Sequence, residues 1–391
     1  MTTQLGPAVL RTPCKEPRPE RSALDPLDPG ERPLGVALSG GGFRATLAGI
    51  GALRRLAVVG KLGNLRHVSS VSGGSIANGL LARAWGDLRK AEFTVEAFDD
   101  LITNPALELI CNNSLSGELK KGFWRALLPK TNRTDLLVDQ FDEHLFHDTL
   151  IEDLPTGCWF EINAANLTAG TRYRFSRDVV GDYITGSVSA AGSGIHLAQA
   201  VALSCAVPGA FATVDMHQPK LPCQDAVGTP ALVDGGVYDN LGSDALKVRK
   251  EMPRLFCVIV NAGGLFDSSS TLGKVPIAGD LYRSNGVMYQ QVSSVRSRML
   301  FDEFQSEEKG TLDGTLFSMR TDMPPDKKLT VDQRKALKAY RSENPEVSTE
   351  EKQELAAYKT TFDKLPRSIA DRLIARGEWL TGAALTLHWQ D

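Results

Sequence analysis

A chain of 391 residues with 42% hydrophobic and 23% charged residues has the composition of a globular protein with a large core, either one decorated domain or two smaller ones. Its net charge of -3 gives nucleic acid no electrostatic reason to bind. No basic stretch followed by an apolar core opens the sequence, and no uncharged apolar run approaches the ~20 residues of a membrane span, so the expectation is a soluble, cytoplasmic protein with at most peripheral membrane contact.

The first 33 residues carry seven prolines and little periodic hydrophobicity, which predicts a mobile arm over 1–33. One domain is expected from there to the end, over 34–391. Leu34 to Leu38 is a short apolar run between Pro33 and Ser39, suited to a strand buried on both faces. Leu47, Ile50, Leu53, Leu56 and Val59 then recur at helical spacing, which predicts a helix over 43–62. A strand over 65–71 and a helix over 75–85 repeat the pattern. Residues 91–150 read as a helical excursion with polar breaks near Asn112 and Pro129. Strands are predicted over 159–165, 173–177, 231–233 and 255–261, with helices over 196–203 and 243–250. Beyond about residue 265 the chain reads as largely helical, with helices around 289–304, 332–340, 349–362 and 367–375. Strands alternating with helices predict an α/β fold with a mainly parallel central sheet flanked by helices on both faces.

Six cysteines, Cys14, Cys111, Cys158, Cys205, Cys223 and Cys257, show neither C-x-x-C pairing nor metal-ligand spacing, and they read as reduced, mostly buried thiols. The chemistry lies elsewhere, in three motifs. Gly40-Gly41-Gly42 stands between a strand and a helix, where backbone N–H groups and the helix N-terminus favour an anion. An oxyanion hole and a phosphate cradle both fit, but the run lacks the Gly-Lys-Ser/Thr ending of a Walker loop and the G-x-G-x-x-G spacing of a dinucleotide fold. Ser72 lies between a predicted strand and helix with small residues, Ser70 and Gly74, two positions away on either side, as a nucleophile elbow requires. Ser69, Ser70 and Ser75 are rival hydroxyls, and Ser75 reads as the cap of the following helix. Asp234 heads Asp234-Gly235-Gly236, whose glycines leave room for its carboxylate to approach the elbow.

A Ser-acid-His triad is poorly placed, because the one histidine after Asp234 is His388, three residues from the end. His67, His144, His147 and His196 read as surface or core residues. A Ser72–Asp234 dyad needs none of them, provided burial raises the aspartate from its usual pKa of about 3.9. Asp239 and Asn240 do not match a calcium loop, and no metal site is assigned.

At these residues the chain resembles the patatin-like phospholipases, whose signature is a glycine-rich segment ending in a basic residue, a G-x-S-x-G serine and an Asp-Gly-Gly or Asp-Gly-Ala aspartate. Ser70 in place of the first glycine of the serine motif is the one departure. The likeness runs from about Leu34 to Asn261 and includes the segment from Ser204 to Phe211. It implies a lipid acyl hydrolase of phospholipase A or lysophospholipase type, acting on a lipid substrate such as a phospholipid, with Gly40, Gly41, Gly42 and Arg44 forming the oxyanion loop. It implies no cofactor, although some relatives depend on calcium or a host protein. An acyltransferase, a general esterase and a catalytically silent lipid- or phosphate-binding module remain alternatives. For contact with a lipid aggregate, Leu119, Phe123, Trp124, Leu127 and Leu128, flanked by Lys120, Lys121 and Arg125, form the first candidate patch, and the helix around 292–304 a second.

Overall fold

The computed structural model describes residues 12–112, 133–246, 254–263, 278–306 and 312–389, and of residues 133, 278–283 and 285 the helical backbone alone. Among the described residues ten strands form one sheet: β1 (Leu34–Leu38), β2 (Leu65–Val71), β3 (Trp159–Asn166), β4 (Thr171–Phe175), β5 (Val179–Asp182), β6 (Gly186–Ser189), β7 (Val214–Asp215), β8 (Ala231–Asp234), β9 (Phe256–Asn261) and β10 (Asp313–Ser318). The order is β10-β9-β1-β2-β3-β4-β5-β6. Pairing is parallel from β10 to β3 and antiparallel from β3 to β6, so the sheet is mixed.

The longer helices are α1 (Gly42–Val58), α2 (Gly73–Lys90), α3 (Asn104–Asn112), α4 (Arg133–Phe141), α5 (Leu197–Ser204), α6 (Ala278–Phe304), α7 (Val331–Glu343), α8 (Thr349–Ala357) and α9 (Arg367–His388). The alternation of side chains along each strand divides the core between two faces. Leu34, Val36 and Leu38 of β1 join the larger cluster with residues of α1, α2, α5 and α9, while Ala37 joins Cys257, Ile259 and Leu300 of α6 on the other side.

Four strands escape the sequence reading, β5, β6, the two-residue β7 and β10. β5 and β6 are short and meet through glycine, and a Cβ on Gly181 would lie 2.3 Å from the Gly186 carbonyl oxygen. β10 opens on Asp313-Gly314, a turn signal that its parallel neighbour β9 overrides. α9 runs well beyond the predicted end at 375, and α1 and α9 cross so closely that a Cβ on Gly377 would lie 2.2 Å from the Ala48 carbonyl oxygen. The helix predicted over 243–250 is described only as the 3-10 turn Ser243–Leu246. The aromatic patch at Phe123 and Trp124 lies outside the described residues.

The proline-rich segment, expected to be a mobile arm, has partners on the sheet in its described part. Residues 12–33 lie along the sheet, where the Ser22 amide and hydroxyl donate to Asp178 Oδ2 at 2.9 and 2.8 Å and the Trp159 indole donates to the Ser22 carbonyl at 2.9 Å. Arg21 pairs with Glu161, a fully buried carboxylate that also receives Arg172 at 2.8 Å. His67 stands 3.4 Å from the same group. Burial raises the Glu161 carboxyl, but Arg21, with His67 and Arg174, outweighs it and holds Glu161 well below the usual carboxylate range. The reading of six reduced thiols is corrected as well: Cys14 and Cys223 form a disulfide across 209 positions of sequence. Sequence spacing could not reveal it, because the docked segment brings Cys14 to the β5–β6 turn, where its amide donates to the Tyr183 carbonyl. Cys111, Cys158, Cys205 and Cys257 are free and buried.

Candidate active site

The site begins with a change of partner along β3. β2 pairs with β3 as far as Val71 opposite Asn163; β8 then takes over, antiparallel, with Asp234 opposite Ala164. Ser72 follows Val71 directly, so consecutive positions of one strand bring the serine and the aspartate together across 162 positions of sequence. Both are buried.

Ser72 occupies φ 51° and ψ -129°, a region that a side chain adopts only when its surroundings enforce it. The enforcement is a chain of buried hydroxyls. The Ser72 amide donates to Ser204 Oγ at 2.9 Å, and Ser204 Oγ donates to the Asn163 carbonyl at 2.6 Å. Ser75 Oγ lies 2.9 Å from Ser204 Oγ and 3.0 Å from Ser70 Oγ, which in turn accepts from Asn78 at 2.9 Å. Ser75 therefore sits within α2 as part of this lattice and does not cap the helix. Ser70 does more than fit where a glycine is expected, since its hydroxyl ties the strand to the helix. The Gly74 amide fastens the turn to the Ser39 carbonyl at 3.2 Å. Ser204→Ala is expected to lower kcat about tenfold with little change in KM, because the Ser72 amide then loses its acceptor. Ser204→Thr, which restores a hydroxyl, should recover most of the rate; an unchanged kcat in the alanine variant would leave the lattice without a part in catalysis.

Asp234 is held at both ends. Its amide donates to the Ala206 carbonyl at 2.8 Å, and its Oδ1 accepts from the Gly236 amide at 2.7 Å. The Gly235 amide donates to the Ser204 carbonyl at 3.2 Å. Oδ2 is buried and has no formed hydrogen bond. Burial pushes the carboxyl up to about 6, while the adjacent Ser72 hydroxyl and the Gly236 amide draw it partly back. Cys205 is fully buried against the same pair, and burial together with the charge of Asp234 keeps its thiol protonated. From α6, the Tyr289 hydroxyl stands 2.9 Å from where a Cβ on Gly236 would lie, and burial and Asp234 raise its pKa too.

The glycine run lies against Ser72. The Gly40 amide is engaged by the Asn240 carbonyl at 3.0 Å, which removes it from the expected donors of an oxyanion hole. Gly41 and Gly42, at φ 144° and 58°, have no acceptor for their amides among the described residues. Arg44 does not face the serine. Its buried guanidinium donates to the Ala262 carbonyl at 3.0 Å, to the Tyr358 carbonyl and to Thr360 Oγ1 at 3.2 Å, tying the loop to distant segments. Burial lowers its pKa to about 10.

The histidines lie elsewhere. His67 faces Glu161, His196 faces Asp148 at 3.2 Å, and His388 lies near Asp313 at the start of β10, at the opposite end of the parallel strands from Ser72. Asp239 accepts from the Leu241 and Asp244 amides at 3.1 and 2.9 Å and pairs with Arg296 at 3.6 Å. Among the described residues no cluster of three metal-ligating side chains occurs. A cavity of about 1240 Å³ lies between residues 18–27 and the sheet, lined by Arg66, Trp159, Arg172 and Arg174 among others, and contains neither Ser72 nor Asp234. No described helix is long and apolar enough to cross a membrane. Sequence reasoning missed Ser204, Cys205 and Tyr289 as neighbours of the pair. Ser204 and Cys205 lie in a segment noticed only for its family likeness, and Tyr289 reaches the site from a helix far along the chain.

The solved structure of human GIVD cytosolic phospholipase A2 superposes with a TM-score of 0.52 at 13% identity, covering 91% of this chain and 60% of that one. The same human protein in complex with methyl gamma-linolenyl fluorophosphonate gives 0.49 at 14% identity, covering 91% and 58%. VipD from Legionella pneumophila gives 0.34 at 15%, covering 80% and 67%. The chain thus spans about 60% of the length of the human structure whose fold it shares. No curated protein sequence matches it. The patatin-like phospholipase model matches residues 36–247, more than half of the chain and the stretch that holds the glycine loop, the serine elbow and the aspartate turn. The chain belongs to the patatin-like phospholipase family.

Proposed function

We propose that this protein hydrolyses fatty acyl esters of phospholipids or lysophospholipids with Ser72 as nucleophile and Asp234 as base. One observation carries the reading: a serine in a strained elbow conformation lies beside a buried carboxyl raised to about 6, with no histidine in contact. A carboxylate with that pKa is largely ionised at neutral pH and a better base than an ordinary aspartate.

Ser72 Oγ attacks the acyl carbonyl while Asp234 takes its proton. The Gly41 and Gly42 amides receive the oxyanion of the tetrahedral intermediate. Collapse breaks the ester bond as Asp234 returns the proton to the departing alcohol. Water, deprotonated by the same carboxylate, then attacks the acyl-serine and releases the fatty acid. Arg44 serves this reading as a brace for the oxyanion loop.

A fluorophosphonate probe should label the wild-type chain at Ser72 and leave Ser72→Ala unlabelled. Mass spectrometry of phospholipid mixtures exposed to each protein should show free fatty acid with the wild type alone. Equal labelling of both chains, or no fatty acid from any lipid offered, would defeat the proposal.

A further inference from the structure

A surface helix of a water-soluble protein turns its apolar stripe inward and its polar side outward. α6 does the reverse over its described side chains. Its inner row, at helical spacing, is Tyr289, Ser293, Arg296 and Leu300: Tyr289 reaches the Asp234 turn, Arg296 stacks on Tyr238 and pairs with Asp239 and Asp244, and Leu300 enters the core. One position earlier at each step runs an outer row of Met288, Val292, Val295 and Met299, all exposed, Met288 to 66% and Met299 to 57%. Val287 and Phe301 are exposed on another side of the helix, so six of the twelve large hydrophobic residues exposed among the described ones lie on α6. Two more, Val207 and Val237, adjoin the residues around Asp234.

The charge pattern chooses the occupant. From Ser284 to Phe301 there is no acidic residue, and of the two arginines Arg296 is engaged inward while Arg298 is exposed. The row meets its first acid, the exposed Asp302, only at its C-terminal end, one step beyond Met299, and an apolar row with the outward Arg298 beside it fits the boundary between acyl chains and headgroups, where apolar side chains insert and a cation meets phosphate. We propose that the outer face of α6, with Val207 and Val237, is the surface by which this protein docks on a lipid aggregate. The proposal rests on the lipid-hydrolase reading for its purpose. Docking on this side sets the helix whose Tyr289 reaches the Asp234 turn against the aggregate. It also moves the preferred contact from the Phe123 and Trp124 segment to a face built on the wall of the site.

Binding can be measured apart from catalysis. The full chain carrying Ser72→Ala is mixed with vesicles of phosphatidylcholine, with and without phosphatidylglycerol, and sedimented. Adding Met288→Ser, Val292→Ser, Val295→Ser and Met299→Ser should weaken vesicle binding at least about tenfold. Arg298→Gln alone should reduce binding to the phosphatidylglycerol vesicles and leave the neutral ones unaffected. The melting temperature of the four-serine chain, and fluorophosphonate labelling when Ser72 is kept, establish that it is folded. Failure of the parent to bind vesicles, or equal binding by the folded four-serine chain, would overturn the proposal. So would a concentration-dependent dimer in sedimentation velocity that the four serines abolish, since a second copy would then cover the face. Loss of labelling in the wild type would sink the hydrolase reading and leave the binding result standing.

Discussion

Asp234→Asn is expected to lower ester hydrolysis by about 10⁴-fold and, at the same time, to make the protein harder to unfold at neutral pH. The first effect follows from loss of the base. The second follows from its burial. Asp234 rises from 3.8 to about 6 on folding, so between those values the folded chain holds a proton that the unfolded chain has released. Stability falls with rising pH wherever the native state binds more protons, and a shift of that size costs about 3 kcal/mol at pH 7. Asparagine removes the buried charge, keeps an oxygen for the Gly236 amide and escapes that cost. The gain should be present above about pH 6 and vanish below about pH 4. In the wild type the same carboxyl must be ionised to act, so kcat/KM should rise through about pH 6 and level off above it. The groups around it, the Ser72 hydroxyl, the Gly236 amide, the protonated Cys205 and Tyr289, bring no competing charge into that window. Urea melts across pH for both proteins, with a soluble ester for the rate, test both effects. A near-normal rate in the asparagine chain would leave Asp234 without its role.

Gly41→Ala should reduce kcat by at least about 100-fold while KM changes little. Gly41 holds φ 144°, and a Cβ there would lie 2.4 Å from the Ala262 carbonyl oxygen. The loop must move to admit it, and an amide displaced from the oxyanion forfeits about 3 kcal/mol of transition-state stabilisation. Single-turnover kinetics on a soluble ester separate the two constants. A folded variant that lost affinity alone would return the loop to the phosphate-binding reading.

The strands around the glycine loop and the serine were legible to the residue: β1 over Leu34–Leu38 as a continuous apolar run with sharp boundaries, and β2 over Leu65–Val71 by its place between the first helix and the serine turn. Turn chemistry located the glycines, the serine and the aspartate by the same logic. What stayed hidden depends on tertiary neighbours. Ser204 reads as the end of a small apolar helix, yet its hydroxyl accepts the Ser72 amide. Gly40 looks equivalent to Gly41 and Gly42 until the Asn240 carbonyl claims its amide. Cys14 and Cys223 have no local pattern to betray them, and Gly377 marks a crossing of helices that only the packing reveals.

β3 holds Val71 opposite Asn163 and Asp234 opposite Ala164. Side chains alternate sides along a strand, so a slip of one residue in the β3–β8 pairing would carry the Asp234 carboxylate through the sheet and away from Ser72. No intermediate register leaves the two within reach, which makes the joining of serine and base an all-or-none event. A chain cut before Ala231 could retain the glycine loop and the nucleophile turn and still have no proton acceptor, so activity reports whether β8 has closed in register.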